Sequence, residues 1–390
     1  MLDFAAVKRQ INDMVREQRN RREELAQRVQ RAWEQMMVWS GDWTPLIEKV
    51  RGSKTSWLLA RITEPAHRIH PRPPRPPQLT VVATDGSQIF PDRHEVSDCY
   101  LLNIGAVALP YGSGARPLLS ARPLLFFQDA DLTVQWNGRR IPVTPEIIGL
   151  RRTLLEMEEL VRLAQSNAPP RLALVDGTLI LWTLEGRPAD YKATMLKTYL
   201  EHLDTLREHR VPVAAYISAP GSTDVVNALR VGLCPYSFAN CDFCEYKHKP
   251  DPLPCAPIEG VSDAMLFARL LSHVGERSAV FRSASSVLAE YGEHAVCFFY
   301  LHVGAEIARV EIPQWVAEDD ALLDLVHSGV ADQAEKGRGY PVALAEAHAQ
   351  AVVRGAEREM FYRMMEDTFI RSDVPVRLSL KARTKRTPGV

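Results

Sequence analysis

Thr80-Val81-Val82-Ala83-Thr84-Asp85-Gly86-Ser87 and Leu172-Ala173-Leu174-Val175-Asp176-Gly177-Thr178 repeat one phrase: an apolar run, then Asp, Gly and a small hydroxyl residue. Each copy predicts a buried strand that carries a carboxylate at its tip, with a glycine that lets the backbone turn sharply and leaves room for an approaching group. Asp-Gly alone is a common turn dipeptide. Its recurrence after two such similar runs points further, because two carboxylates brought side by side repel each other unless a cation stands between them. The pair therefore predicts a divalent metal site.

Working outward, residues 144–165 predict a helix between the two strands, since Thr144-Pro145-Glu146 supplies a cap residue followed by proline in the first turn. It carries Glu156, Glu158 and Glu159. At 100° per residue the apolar positions Ile147, Leu150, Leu154, Met157 and Val161 share one face; Glu158 lies nearest its edge, Glu159 next, and Glu156 well round the far side. Solvated glutamates are the rule on a surface helix, but this one precedes the second Asp strand and would pack across the first. Beyond it, residues 171–176, 189–208 and 211–217 predict strand, helix and strand, an order that suits parallel strands joined by crossovers. Together with the long strand or hairpin arm at 100–109, an extended piece at 132–136 and an extended pair at 295–303 and 306–312 turning at Gly304, this predicts an α/β fold with a mixed sheet. An Asp on the first strand, a Glu on a following helix and an Asp on the next parallel strand is the ribonuclease H-like arrangement for holding Mg²⁺ or Mn²⁺ through hard oxygen ligands.

The flanks carry three further features. Residues 3–62 are charged, with apolar positions recurring at three and four (Val7, Ile11, Met14, Val15; then Leu25, Val29, Trp33, Met36), which predicts an amphipathic helical arm. His70-Pro71-Arg72-Pro73-Pro74-Arg75-Pro76-Pro77 forbids helix and predicts an extended linker, so the chain divides into an arm and linker over residues 1–70 and a catalytic body over 71–390. A long last helix is predicted from Pro341 to about Phe369, with His348 two turns in on a face of small residues, where a metal or phosphate can reach it. The tail Lys381-Ala382-Arg383-Thr384-Lys385-Arg386 is basic.

Bulk composition narrows the classes of function. The 47 Lys and Arg residues nearly cancel 48 Asp and Glu, so overall charge directs the protein to neither nucleic acid nor membrane. No apolar run reaches membrane-spanning length, and Met1-Leu2-Asp3-Phe4 lacks the basic-then-apolar order of a signal peptide, so a cytoplasmic protein without membrane association is expected. Four of the six cysteines, Cys234, Cys241, Cys244 and Cys255, crowd an aromatic- and Pro-rich insertion at about 228–260 together with His248. One Cys-x-x-Cys knuckle and two more cysteines supply ligands for a Zn²⁺ ion or an iron-sulfur cluster; four reduced thiols are the alternative, since only one of the two expected pairs is present.

Asp85-Gly86-Ser87 after the first strand, the acidic helix, Val175-Asp176-Gly177-Thr178-Leu179 after the next, and Tyr340-Pro341 with His348 eight residues beyond Tyr340 together resemble the NurA nuclease family over roughly residues 79–369. The resemblance implies a metal-dependent deoxyribonuclease acting in DNA end resection and double-strand break repair, working as a homodimer with a HerA-type hexameric ATPase. The chain has no Gly-x-x-x-x-Gly-Lys loop of its own, so ATP hydrolysis would fall to that partner. By the same resemblance Asp85, Asp176, His348 and one helix glutamate hold Mn²⁺ or Mg²⁺, with Tyr340 near the scissile phosphate; Glu159 is favoured by its distance before Asp176 and Glu158 by its helical face. Thr178 and the cysteine-rich insertion depart from the family pattern. Two rivals stand beside the nuclease: a noncatalytic protein of the same fold that binds nucleic acid or a partner, and a phosphohydrolase of small phosphate esters. Clustered carboxylates, which repel phosphate unless a metal is bound, weigh against the first, and an open groove would weigh against the second.

Overall fold

The computed structural model describes residues 2–91 and 98–373, so the basic tail at 381–386 lies outside the described residues. In chain order the main elements are helices α1 (Phe4–Val38) and α2 (Thr44–Gly52), strands β1 (Leu79–Ile89), β2 (Tyr100–Tyr111) and β3 (Leu118–Phe126), and helix α3 (Pro145–Ser166). Strand β4 (Arg171–Asp176), helix α4 (Ala189–Glu208), strand β5 (Val213–Ile217), and helices α5 (Asp224–Leu233) and α6 (Asp263–Leu270) follow. Strands β6 (Val296–His302) and β7 (Ile307–Pro313) and helices α7 (Asp320–Lys336), α8 (Val342–Ala351) and α9 (Gly355–Arg371) complete the series.

Two compact units divide the chain, one formed by residues 1–74 with 216–331, the other by 75–215 with the part from Asp332 onward. The expectation of one continuous body after residue 70 does not describe the chain, because α1 and α2 do not stand apart as an arm: Ala32, Met36, Leu46 and Val50 are buried with Val225, Leu229, Leu266 and Phe267 of α5 and α6 in one apolar cluster. At about 1.5–3 kcal/mol for each large apolar side chain removed from water, this burial ties the N-terminal helices to residues 216–331. The same unit contains the antiparallel pair β6 and β7, in register from Val296 opposite Pro313 to His302 opposite Ile307.

The other unit contains the repeated phrase. Its strand order is β5-β4-β1-β2-β3. β1 pairs antiparallel with β2, β2 antiparallel with β3, and β1 parallel with β4, so the sheet is mixed and its three-strand meander followed by a parallel fourth strand is the ribonuclease H-like order. Parallel pairing requires a crossover, and α3 supplies it, capped by the Thr144 hydroxyl, which accepts from the Ile147 amide, with Pro145 in its first turn. Leu79 to Ala83 and Leu172 to Leu174 are buried, as strands covered on both faces require.

Three expectations change. β1 does not end at Asp85 but runs to Ile89, so Asp85 lies within a strand and Gly86 continues it. Residues 118–126 form an additional strand, and the predicted last helix is broken between Ala351 and Gly355 into α8 and α9. Arg75 of the proline-rich linker is anchored 3.3 Å from an Asp332 carboxylate oxygen and over the Tyr111 ring.

Candidate active site

Parallel pairing of Thr84 with Val175 sets the two aspartates level, since the next residue on each strand is Asp85 and Asp176. Both line a cleft of about 320 Å³ with Arg152, Glu156, Trp182 and Tyr199. Asp85 is one-fifth exposed, and its Oδ1 accepts from the Gly86 amide at 2.8 Å. Asp176 is exposed at the end of its strand, where Gly177 turns the backbone with φ of +91° as the sequence predicts.

Gly86 has a different reason. A Cβ built on it would meet Glu156 Oε1 at 2.4 Å and Arg152 Cγ at 2.7 Å, so the missing side chain is the space that two α3 residues fill. Glu156, not Glu158 or Glu159, is therefore the helix glutamate that reaches the aspartates. Its side chain is 17% exposed and its Oε1 lies 3.0 Å from Arg152 Nε. Burial, with the nearby negative charges of Asp85 and Asp176 added and Arg152 opposing, pushes its carboxyl up to about 7. Glu158 is exposed and faces His202 of α4. Glu159 is buried but spoken for: Arg162 donates to both its oxygens, at 2.5 and 3.0 Å, and Arg122 of β3 stands 4.0 Å away.

Helical phase places Glu156 away from the expected buried face, but α3 is covered on more than one side. Ile148, Leu160 and Leu163 are also buried, and Glu156 lies on their stripe at i+8, i−4 and i−7 respectively. Those leucines were the available signal. Arg152, which no sequence signal marks, holds Glu156 through Nε and Gln88 Oε1 through NH1 at 2.6 Å, fastening the helix across β1.

Helix α8 brings the remaining two candidates. Ala343, Ala347 and Ala351 are buried, and a Cβ on Gly105 of β2 would stand 2.4 Å from the Ala347 carbonyl oxygen and 2.5 Å from the Ala351 amide nitrogen. The helix rests on the strand backbone itself. Its last carbonyls are satisfied from the sheet, with Ser87 Oγ donating to Ala351 O at 2.5 Å and Asn103 Nδ2 to the same atom at 2.8 Å. This docking sets His348 Nδ1 2.7 Å from Asp85 Oδ2, and because a carboxylate only accepts, Nδ1 carries the proton and the ring is left with Nε2 on its exposed side. Tyr340, just before the helix, donates its phenol to Asp176 Oδ1 at 2.9 Å. Burial and the two aspartates push the Tyr340 hydroxyl well above its ordinary range, so it stays a protonated donor.

Gly105→Ala is accordingly expected to lower stability by about 1–3 kcal/mol, because backbone rather than a flexible side chain must yield. Urea unfolding checks this; an unchanged midpoint would mean that α8 does not rest on Gly105 as described.

Among the described residues no group of three or more His, Cys, Asp or Glu side chains already stands in a metal-holding arrangement. The donor set nevertheless suits a hard divalent cation: three carboxylates share one cleft, Glu156 Oε1 is buried without an aligned hydrogen bond, and a cation would offset both the burial and the neighbouring negative charges that raise its carboxyl.

The fold and this cluster define a ribonuclease H-like α/β protein with a carboxylate centre held between a strand pair and two helices. The sequence profile of the NurA domain matches residues 79–353, and the chain belongs to the NurA family. The NurA nuclease from Sulfolobus solfataricus is similar in structure, with a TM-score of 0.52 at 12% identity over 93% of this chain and 98% of that one. The catalytic domain of human Endonuclease V is more distant, with a TM-score of 0.32 at 14% identity over 83% of this chain and 96% of that one. No curated protein sequence matches the chain. No described helix is long and apolar enough to cross a membrane.

Proposed function

We propose that the protein is a metal-dependent DNA nuclease that hydrolyses phosphodiester bonds during end resection and double-strand break repair. In this reading it is a cytoplasmic homodimer coupled to a HerA-type hexameric ATPase. The observation that carries the catalytic part is the convergence of Asp85, Glu156 and Asp176 in one cleft of a NurA-family chain. The solved Sulfolobus relative is a nuclease, which supports the same reading.

Asp85, Asp176 and Glu156, with His348 beside them, would hold Mn²⁺ or Mg²⁺. Such ions activate water and stabilise the leaving oxygen of a phosphodiester. The side chains themselves do the positioning. Arg152 holds Glu156 against β1 and offsets part of its charge, while Tyr340 fixes the rotamer of Asp176 and keeps a proton at its phenol oxygen. Asp85 orients the His348 ring so that Nε2 is the nitrogen that meets solvent and substrate. His348 is 69% exposed, so an extended polymer can reach it.

The purified chain is expected to degrade linear DNA when Mn²⁺ or Mg²⁺ is added and to stop when the metal is chelated. Absence of metal-stimulated cleavage on both single- and double-stranded DNA would reject the reading. His348→Ala is expected to lower metal-dependent turnover by about 10–100-fold while DNA affinity in Ca²⁺ is retained. Equal losses in turnover and binding would instead make the histidine a part of the DNA surface.

A further inference from the structure

We propose that Cys234, Cys241, Cys244 and Cys255 bind one structural Zn²⁺ ion as a tetrathiolate site, in the unit formed by residues 1–74 and 216–331 and independently of the carboxylate cleft. All four line a single small cavity of about 30 Å³, walled by Trp57, Tyr236 and Tyr246. None is in a disulfide. Among the described residues no three of these thiols stand in a metal-holding arrangement, so occupancy requires the thiols to converge on the ion.

The segment needs such a centre. From residue 235 to 257 only Ala239 is buried, and regular structure is confined to two short 3₁₀ turns, Glu245–His248 and Ala256–Ile258, with one bridge between Lys54 and Asn240. A stretch of this length that buries almost no apolar surface cannot offset its own ordering entropy, and a metal cross-link is the usual substitute for a core. The four cysteines enter the segment at its structural joints. Cys234 closes α5, Cys241 donates its amide to Lys54 O at 2.9 Å, and Cys244 and Cys255 each precede one of the 3₁₀ turns.

The electrostatics match a cation bound to thiolates. Burial pushes the Cys241 thiol up, and the nearby Cys255, Cys244 and Cys234 push it further. Four thiolates around Zn²⁺ leave two negative charges, and cationic groups stand beside them, Arg230 being also paired with Glu259 at 2.9 Å. The buried Arg230 guanidinium, stacked 4.4 Å over Trp57, lies 4.0 Å from Cys255 Sγ and donates to Cys255 O at 3.2 Å. Lys49 Nζ donates to Cys234 O at 2.5 Å, and Lys247 lowers the Cys241 thiol. Tetrahedral coordination by thiolates is the preference of Zn²⁺, and sulfur ligands distinguish this centre from the oxygen ligands of the cleft.

The test uses the full chain, expressed in zinc-supplemented medium, and reads metal rather than DNA cleavage, so its failure leaves the nuclease reading standing. One zinc per chain is expected, lost in Cys241→Ala/Cys244→Ala but kept in Asp85→Asn/Asp176→Asn. Replacement by Co²⁺ in the unmutated protein should give thiolate charge-transfer absorption with tetrahedral ligand-field bands, a readout that holds even where the cysteine variant misfolds. Trypsin should cut after Lys247 only once the ion has been stripped. Zinc well below one per chain, an octahedral Co²⁺ spectrum, a disulfide among the four thiols, or iron with cluster absorption would each overturn the assignment.

Discussion

Asp85→Asn and Asp176→Asn are each expected to lower metal-stimulated DNA cleavage by about 10³-fold or more while leaving the fold intact. The magnitude follows from the several kcal/mol that a positioned cation contributes to stabilising the transition-state charge, which cannot be kept when one of its carboxylates becomes a neutral amide. Asn preserves the shape of Asp, so the hydrogen bond from the Gly86 amide and the contact with Tyr340 have an acceptor oxygen to use. Each aspartate also raises the Glu156 carboxyl, so removing either charge relieves repulsion, and the metal-free variant should be no less stable than the parent. Single-turnover cleavage with and without Mn²⁺, beside urea unfolding in chelator, separates the two effects. Cleavage by Asp176→Asn at the parent rate would reject the site.

Glu156→Gln is expected to reduce cleavage by about 10²-fold or more, whereas Glu158→Gln leaves it within a factor of about two. Glu159→Gln should act on stability, since it weakens the pairing of this buried carboxylate with the half-exposed Arg162. The same substitution at 156 has a pH signature. The carboxyl titrates near 7 in the folded chain against an ordinary value of 4.5, so folding binds its proton. That contribution is complete below about 4.5 and is lost as pH rises through 7, which makes the metal-free protein about 3 kcal/mol less stable at pH 8 than at pH 4 on account of this group. Gln is neutral throughout. At pH 8 in chelator Glu156→Gln should therefore gain up to about 3 kcal/mol over the parent, and near pH 4 the two should coincide. A gain of equal size at both values would mean that the effect is packing rather than charge.

The alternation of strands and crossover helix from Leu79 to Ile217 was legible because burial on both strand faces leaves unbroken apolar runs and because Thr144-Pro145 is a local cap. The edge strand Leu118–Phe126 was missed because its side chains are mostly exposed, so it has no apolar run to read. The break of the last helix between Ala351 and Gly355 is likewise set by its neighbours: Ser87 and Asn103 take up the Ala351 carbonyl, which ends α8 where no proline does.

Local sequence alone determined that two aspartates would be carried by buried strands, that a tyrosine and a histidine would accompany a helix start, and that four cysteines would share an insertion, because each of these depends on neighbours a few residues apart. Which glutamate joins the aspartates was decided by the tertiary structure. Helical phase ranks positions against one buried face, but α3 is covered on more than one side, and the space left above Gly86 selects Glu156 from among three adjacent glutamates. The same holds for His348, whose approach to Asp85 depends on a strand glycine more than two hundred residues earlier that lets α8 lie directly against the β2 backbone.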